Sequence, residues 1–289
     1  MTYETPHELR AALEQRLLNR SRDSGVGLDR LRRRVIFERV LSRLQAAEPG
    51  QWVLKGGMAL EVRLKDSARL TKDMDLGLRA AGIDGEPLRE RLIEALGADV
   101  FGDRFELEVG PARRLMEDGG GHESWRVKVS AALADRQFGG IQLDISPRAY
   151  ELHDTETVSL PNSLAFAEVR SPEIEVIDIP RRAAEKFHAM TKDFGERENS
   201  RVRDLVDLVV LHEHDLLSPG PAASAVRNVW SERERAAPPA VLPQLPESWD
   251  ERYSAFAAEL GLQAQSLSGA VTVVSAVWAQ MFPTEEPPP

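Results

Sequence analysis

Apolar positions recur at helical spacing over residues 7–20 and again over 27–46. In the second stretch Leu28, Leu31, Val35, Ile36, Val40, Leu41 and Leu44 form one stripe. Gly25 and Gly27 divide the two predicted helices. Residues 51–55 form a short apolar run that predicts a strand. Gly56 and Gly57 end it, and 58–64 predicts a helix. Apolar and polar residues alternate over 73–78, the signature of a second strand. Residues 87–96 are amphipathic, with Pro87 at a tolerated first-turn position. Strands are then predicted at 105–109, 125–133 and 140–146, separated by glycines at 119–121 and 139–140. Residues 160–175, with Pro161 and Pro172, read as extended connections.

Beyond this point the pattern is helical. A helix is predicted over 179–192, opened by Pro180, and another over 201–214 after a polar loop. Residues 218–221 read as a break. Pro238, Pro239, Pro243 and Pro246 mark a surface linker. Two further helices are expected at 248–260 and 268–281, and a disordered tail at 285–289. The order predicts an α+β protein: a mixed sheet flanked by helices over 1–176, then an α-helical domain over 177–284.

Composition narrows the chemistry. The 289-residue chain has no cysteine, which excludes a disulfide scaffold, a thiolate metal site and a cysteine nucleophile. No apolar run approaches the ~18–20 residues that span a bilayer. Residues 1–10 carry both charge signs and no apolar core, unlike a signal peptide, so a cytoplasmic location is expected. The net charge is −10, so any nucleic-acid contact needs a local basic patch. Nine arginines lie between Arg10 and Arg39, with Arg32, Arg33 and Arg34 consecutive. Such a run is either a solvated helix face or a polyanion-binding patch.

The segment 53–76 carries the candidate chemistry. A strand, Gly56-Gly57, a helix and a strand bearing Asp73-x-Asp75 follow one another. A Gly pair lets backbone approach a phosphate closely, and a following helix start presents free N–H groups. Residues i and i+2 of a strand share a face, so Asp73 and Asp75 project together. Paired carboxylates suit Mg²⁺, which is commonly held by one or two carboxylates plus substrate phosphates. Lys55, just before the Gly turn, either reaches a phosphate or snorkels from a strand end. Arg69 and Thr71, just before the Asp pair, are candidates to orient the loop or a phosphate.

The run Lys55-Gly-Gly-Met-Ala-Leu60 with Arg69-x-Thr-x-Asp-x-Asp-Leu76 resembles the AbiEii/AbiGii-type nucleotidyltransferase toxins. These are relatives of the MenT toxins within the DNA polymerase β-like nucleotidyltransferase superfamily. The resemblance continues at Ala184-Glu-Lys-Phe-His-Ala189 and Arg201-Val-Arg-Asp-Leu-Val-Asp-Leu208. It implies that Gly56 and Gly57 receive the triphosphate and that Asp73 and Asp75 bind metal. It implies that Lys186 engages the triphosphate and that Asp204 completes the site. Arg203 stands where the family more often has Lys, which keeps the charge but changes its geometry. Asp144 fits a third metal carboxylate of the superfamily, or is a strand-end aspartate without metal.

The resemblance further implies Mg²⁺ (Mn²⁺ as an alternative), an NTP substrate, an RNA acceptor such as the tRNA 3′ end, and a separate antitoxin protein. A basic patch for the acceptor would draw on Arg30 to Arg34 and Arg39, with Lys192, Arg197, Arg201 and Arg203. Two other readings stand beside it: transfer to a protein or small molecule, and a non-catalytic nucleotide-binding regulator.

Overall fold

The computed structural model describes residues 3–64, 67–68, 71, 73–80, 82–115, 123–195 and 198–283, with Tyr150 as backbone only. Arg69, Arg197, the glycines at 119–121 and the tail at 285–289 lie outside the described residues. The chain divides into two compact units, 1–63 with 70–177, and 64–69 with 178–289.

The first unit is an α+β layer. Its elements are α1 (Pro6–Ser24), α2 (Leu28–Ala47), β1 (Trp52–Leu54), α3 (Gly56–Leu64), β2 (Asp73–Leu78), α4 (Gly85–Gly97), β3 (Phe105–Val109), β4 (Arg113–Arg114), β5 (Trp125–Leu133), β6 (Arg136–Ser146), β7 (Thr155–Ser159) and β8 (Glu173–Ile177). The strands form one sheet in the order β3-β5-β6-β2-β1-β8-β7, with β4 beside β5. The β2–β6 and β1–β8 pairs are parallel and the others antiparallel.

Local sequence explains the boundaries. Thr5 caps α1 in a reciprocal capping box with Glu8, and Gly25 closes the helix at φ +71°. Buried and open positions alternate over 127–133 of β5 and 141–146 of β6. Val127, Val129, Ala131, Ile141, Leu143 and Ile145 are buried in a core with Leu9 and Leu13 of α1, Ile36 and Phe37 of α2, and Leu88 and Leu92 of α4. The opposite face is polar. An antiparallel sheet with one covered face shows this alternation.

The second unit is helical: α5 (Ile179–Thr191), α6 (Val202–Glu213), α7 (Pro219–Glu234), α8 (Asp250–Leu260) and α9 (Leu267–Met281). The Asp178 side chain caps α5 by accepting from Arg181 N–H at 2.7 Å. The expected break at 218–221 is instead the start of α7. Pro219 lies in its first turn, where the missing N–H costs nothing, and Ala222, Val226 and Trp230 bury one side. The sequence pattern does not give β4, β7 or β8: β4 has two residues, β7 is a largely polar edge strand, and β8, between β1 and β7, begins where 160–175 reads as extended connections.

Candidate active site

The first group of candidate residues sits at the ends of β1 and β2. Lys55 N–H donates to the Asp75 carbonyl at 2.8 Å, which tethers the Gly turn to β2. Gly56 adopts φ +62°, and a Cβ placed on it would overlap the Asp75 side chain. Glycine is required there twice, by backbone conformation and by space. Gly57 follows in the buried first turn of α3. Thr71 Oγ1 donates to the Asp73 carbonyl at 3.0 Å, so it orders the entry to β2. The Lys55 Nζ is 3.3 Å from Glu151 Oε2, a buried carboxylate.

Across the sheet, register decides the neighbours. Asp73 stands opposite Gln142 and Asp75 opposite Asp144. Gln142 Nε2 donates to Asp73 Oδ1 at 2.8 Å. Asp144 accepts two bonds from Arg126, Nε to Oδ1 at 2.8 Å and Nη2 to Oδ2 at 2.7 Å. Asp144 is thus held by a guanidinium. Among the described residues, no three His, Cys, Asp or Glu side chains gather as a metal group. The fit for a divalent cation rests on Asp73 and Asp75, two carboxylates on one face beside the turn that Gly56 keeps open.

The second group lies on α5 and α6. The Lys186 Nζ hydrogen-bonds Asp204 Oδ1 and is 2.9 Å from Asp207 Oδ2. Arg182 Nη2 donates to the same Asp207 oxygen at 3.2 Å. Arg201 Nη1 is 3.8 Å from Asp204 Oδ2. Asp204 occupies the first turn of α6, where a carboxylate favours the helix N-terminus. The packing of α5 on α6 brings Lys186 and Asp204 together and adds Asp207 as a second carboxylate on the same ammonium.

His188 serves packing. His188 Nε2 lies 2.8 Å from Glu234 Oε1, and its ring meets Trp230 edge-on at 5.0 Å. Burial pushes the imidazole below its ordinary range, against the pull of Glu234.

The arginine run of α2 is neither a solvated face nor an open patch. Arg34, Arg39 and Arg43 are buried, and Arg30, Arg32 and Arg33 are half-buried. Arg34 pairs with buried Glu61. Arg43 donates to Leu96 O at 2.6 Å, Phe105 O at 2.7 Å and Asp103 Oδ1 at 2.5 Å. Arg32 pairs with Glu14 and Asp29. These cations satisfy internal acceptors between helix and sheet, so the expected acceptor patch is not available on α2. Beside them, burial pushes the Glu38 carboxyl up to about 7, although Ser163 donates from its N–H and hydroxyl at 2.7 and 2.8 Å.

The sequence profile of the nucleotidyl transferase AbiEii toxin family, a type IV toxin–antitoxin system, matches residues 39–279. The chain belongs to this family. AbiEii membership makes it a nucleotidyltransferase toxin with a nucleotide substrate and an antitoxin partner. The fold agrees with that of MenT4, a nucleotidyltransferase toxin from Mycobacterium tuberculosis H37Rv. The two share 19% identity at TM-score 0.51, over 94% of this chain and 98% of that one. An antigenic nucleotidyltransferase-like protein from Paracoccidioides brasiliensis aligns at 16% identity and TM-score 0.36, over 70% and 89% of the chains. No protein of curated function matches in sequence. No helix among the described residues is long and apolar enough to cross a membrane.

Proposed function

We propose that this AbiEii protein transfers a nucleotide from an NTP to an RNA acceptor, the 3′ end of tRNA, with Mg²⁺ as its cofactor and Mn²⁺ as a substitute. The observation that carries the reading is the Asp73–Asp75 face beside the glycine turn. Asp73 and Asp75 would hold the ion, which when bound neutralises developing charge on the phosphates. Gln142 orients Asp73 through its donated hydrogen bond. The start of α3, beginning at Gly56, offers backbone N–H groups to a phosphate. Within the helical unit, Asp204 and Asp207 set where the Lys186 ammonium stands, and the family resemblance gives that ammonium to the triphosphate.

In the transfer, an acceptor hydroxyl oxygen bonds to the α-phosphorus and the bond to the bridging oxygen breaks. Pyrophosphate leaves with that electron pair, and the hydroxyl proton passes to solvent.

The test uses purified protein, Mg²⁺, total tRNA and each of four α-³²P-labelled NTPs, with Asp75→Ala as control. Label in tRNA from one NTP, lost in the control, supports the reading and names the base. Pyrophosphate released only with cell lysate, without labelled tRNA, moves the acceptor to a protein or small molecule. No turnover under either condition favours a nucleotide-binding regulator.

A further inference from the structure

The polar face of the sheet is arranged in rows. Arg113 stands opposite Arg126, Arg126 opposite Asp144, and Asp144 opposite Asp75. The next row is Lys128, Gln142 and Asp73. Residues directly opposite one another on neighbouring strands share a face. With strands about 4.8 Å apart, Arg126 lies about 10 Å from the β2 backbone, and the edge cation Arg113 about one strand further.

This juxtaposition sets like charges side by side. Two arginines directly opposite on adjacent strands repel. Asp144 neutralises Arg126 alone. Arg113 and Lys128 are exposed, and neither has an ion pair among the described residues. The Arg126 side chain is 40% exposed, and its bidentate pair leaves Nη1 outside the contact. The charge on Arg126 is reinforced first by its bond to Asp144 and then by the fields of Asp144, Asp73 and Asp75. A chain of net charge −10 thus keeps three cations together, on the same face as its paired carboxylates. Arg126 and Lys128 are two residues apart on one strand, about 6.8 Å, a separation comparable with that of successive phosphates in a single strand.

We infer that Arg113, Arg126 and Lys128 form the track that binds the phosphate backbone of the RNA acceptor as its 3′ end approaches the Asp73–Asp75 face. In this arrangement Asp144 positions Arg126 and does not bind metal. The inference rests on the RNA reading above and names the surface that serves it.

The experiment measures binding of a fluorescein-labelled single-stranded oligoribonucleotide across a salt series. Each phosphate contact contributes about 0.7 to the slope of log K against log salt. Arg113→Ser with Lys128→Ser alters two exposed positions and should lower the slope by about 1.4. Adding Arg126→Gln should lower it by about 2 in total. Arg22→Ser with Arg89→Ser, on α1 and α4, should leave the slope at the wild-type value. Thermal melting of each variant confirms folding.

RNA bound by the wild type with an unchanged slope in the double and triple variants overturns the track while leaving the RNA reading intact. RNA left unbound by the wild type at every salt concentration overturns both. For Asp144→Asn, the oligoribonucleotide Kd should rise because Arg126 is no longer pinned. The Mg²⁺ concentration giving half-maximal tRNA labelling should stay the same. A raised Mg²⁺ requirement, or a Kd that falls as simple removal of a negative charge would produce, overturns the positioning role.

Discussion

Gly56 and Asp75 are in such close approach that any side chain at 56 would occupy the space of the Asp75 carboxylate. The neighbouring Lys55 N–H holds the Asp75 carbonyl at 2.8 Å, so β2 cannot simply slide away. Gly56→Ala should therefore displace the carboxylate and reduce nucleotide transfer to the level of Asp75→Ala. The left-handed backbone at 56 adds a stability cost of about 1–2 kcal/mol. Labelling assays beside urea denaturation separate the two effects. Activity near wild type would remove Asp75 from the proposed site.

Asp207 holds Lys186 and Arg182 at once and is buried. Removing one partner of a buried ion network leaves charge uncompensated. Asp207→Ala should cost about 3–5 kcal/mol. Adding Arg182→Met should recover part of that loss, because a buried cation that faced Asp207 is gone. A double-mutant cycle by chemical denaturation reads the coupling. Strict additivity would refute the shared network.

The arginines of α2 can be sorted by the same logic. Arg34 is paired with buried Glu61, so Glu61→Ala should destabilise by about 3–5 kcal/mol. Arg32 is partly open and pairs with Glu14 and Asp29, so Arg32→Ala should cost about 1 kcal/mol or less. Thermal or urea melts give both values. The Arg32 variant should also bind RNA as the wild type does, which an RNA-binding patch on α2 would not allow.

Glu38 gives the first unit a pH dependence. Its carboxyl is raised by burial from 4.5 to about 7, so the folded state prefers the neutral acid. The stabilisation is fully present below pH 4.5 and is lost as pH rises through about 7. The span corresponds to about 3 kcal/mol at 1.36 kcal/mol per unit. Glu38→Gln should flatten the curve between pH 5 and 7.5 while keeping an acceptor for Ser163. Denaturation midpoints at a series of pH values measure this, and an unchanged slope in the variant would assign the pH dependence elsewhere.

Much of the proposed site was legible because its signals are local. Gly56-Gly57 and Asp73-x-Asp75 lie on a strand, a helix start and a second strand, each written by short-range periodicity. Lys186 and Asp204 came from resemblance, and the packing of α5 on α6 brings them into contact. Arg126 and Gln142 were not singled out. Their signal was the alternation of polar residues along β5 and β6, which marks an open face but not what lies opposite. Asp144 was legible as a strand carboxylate, but its guanidinium partner lies on a different strand. The fate of the arginine run was hidden for a related reason. Counting charges along a helix does not reveal acceptors at Leu96, Asp103 and Phe105, far along the chain.

The helical and strand periods, the glycine turn, the paired carboxylates and the family are written locally along the chain, because they depend on residue spacings of two to four and on short motifs. The tertiary structure decided which strands became neighbours and in what register. That choice set Asp75 opposite Asp144, Arg126 opposite both Asp144 and Arg113, and Arg34, Arg39 and Arg43 of α2 inside the core. Register and burial arise from non-local pairing, whose energy depends on partners the chain reaches only after it has folded.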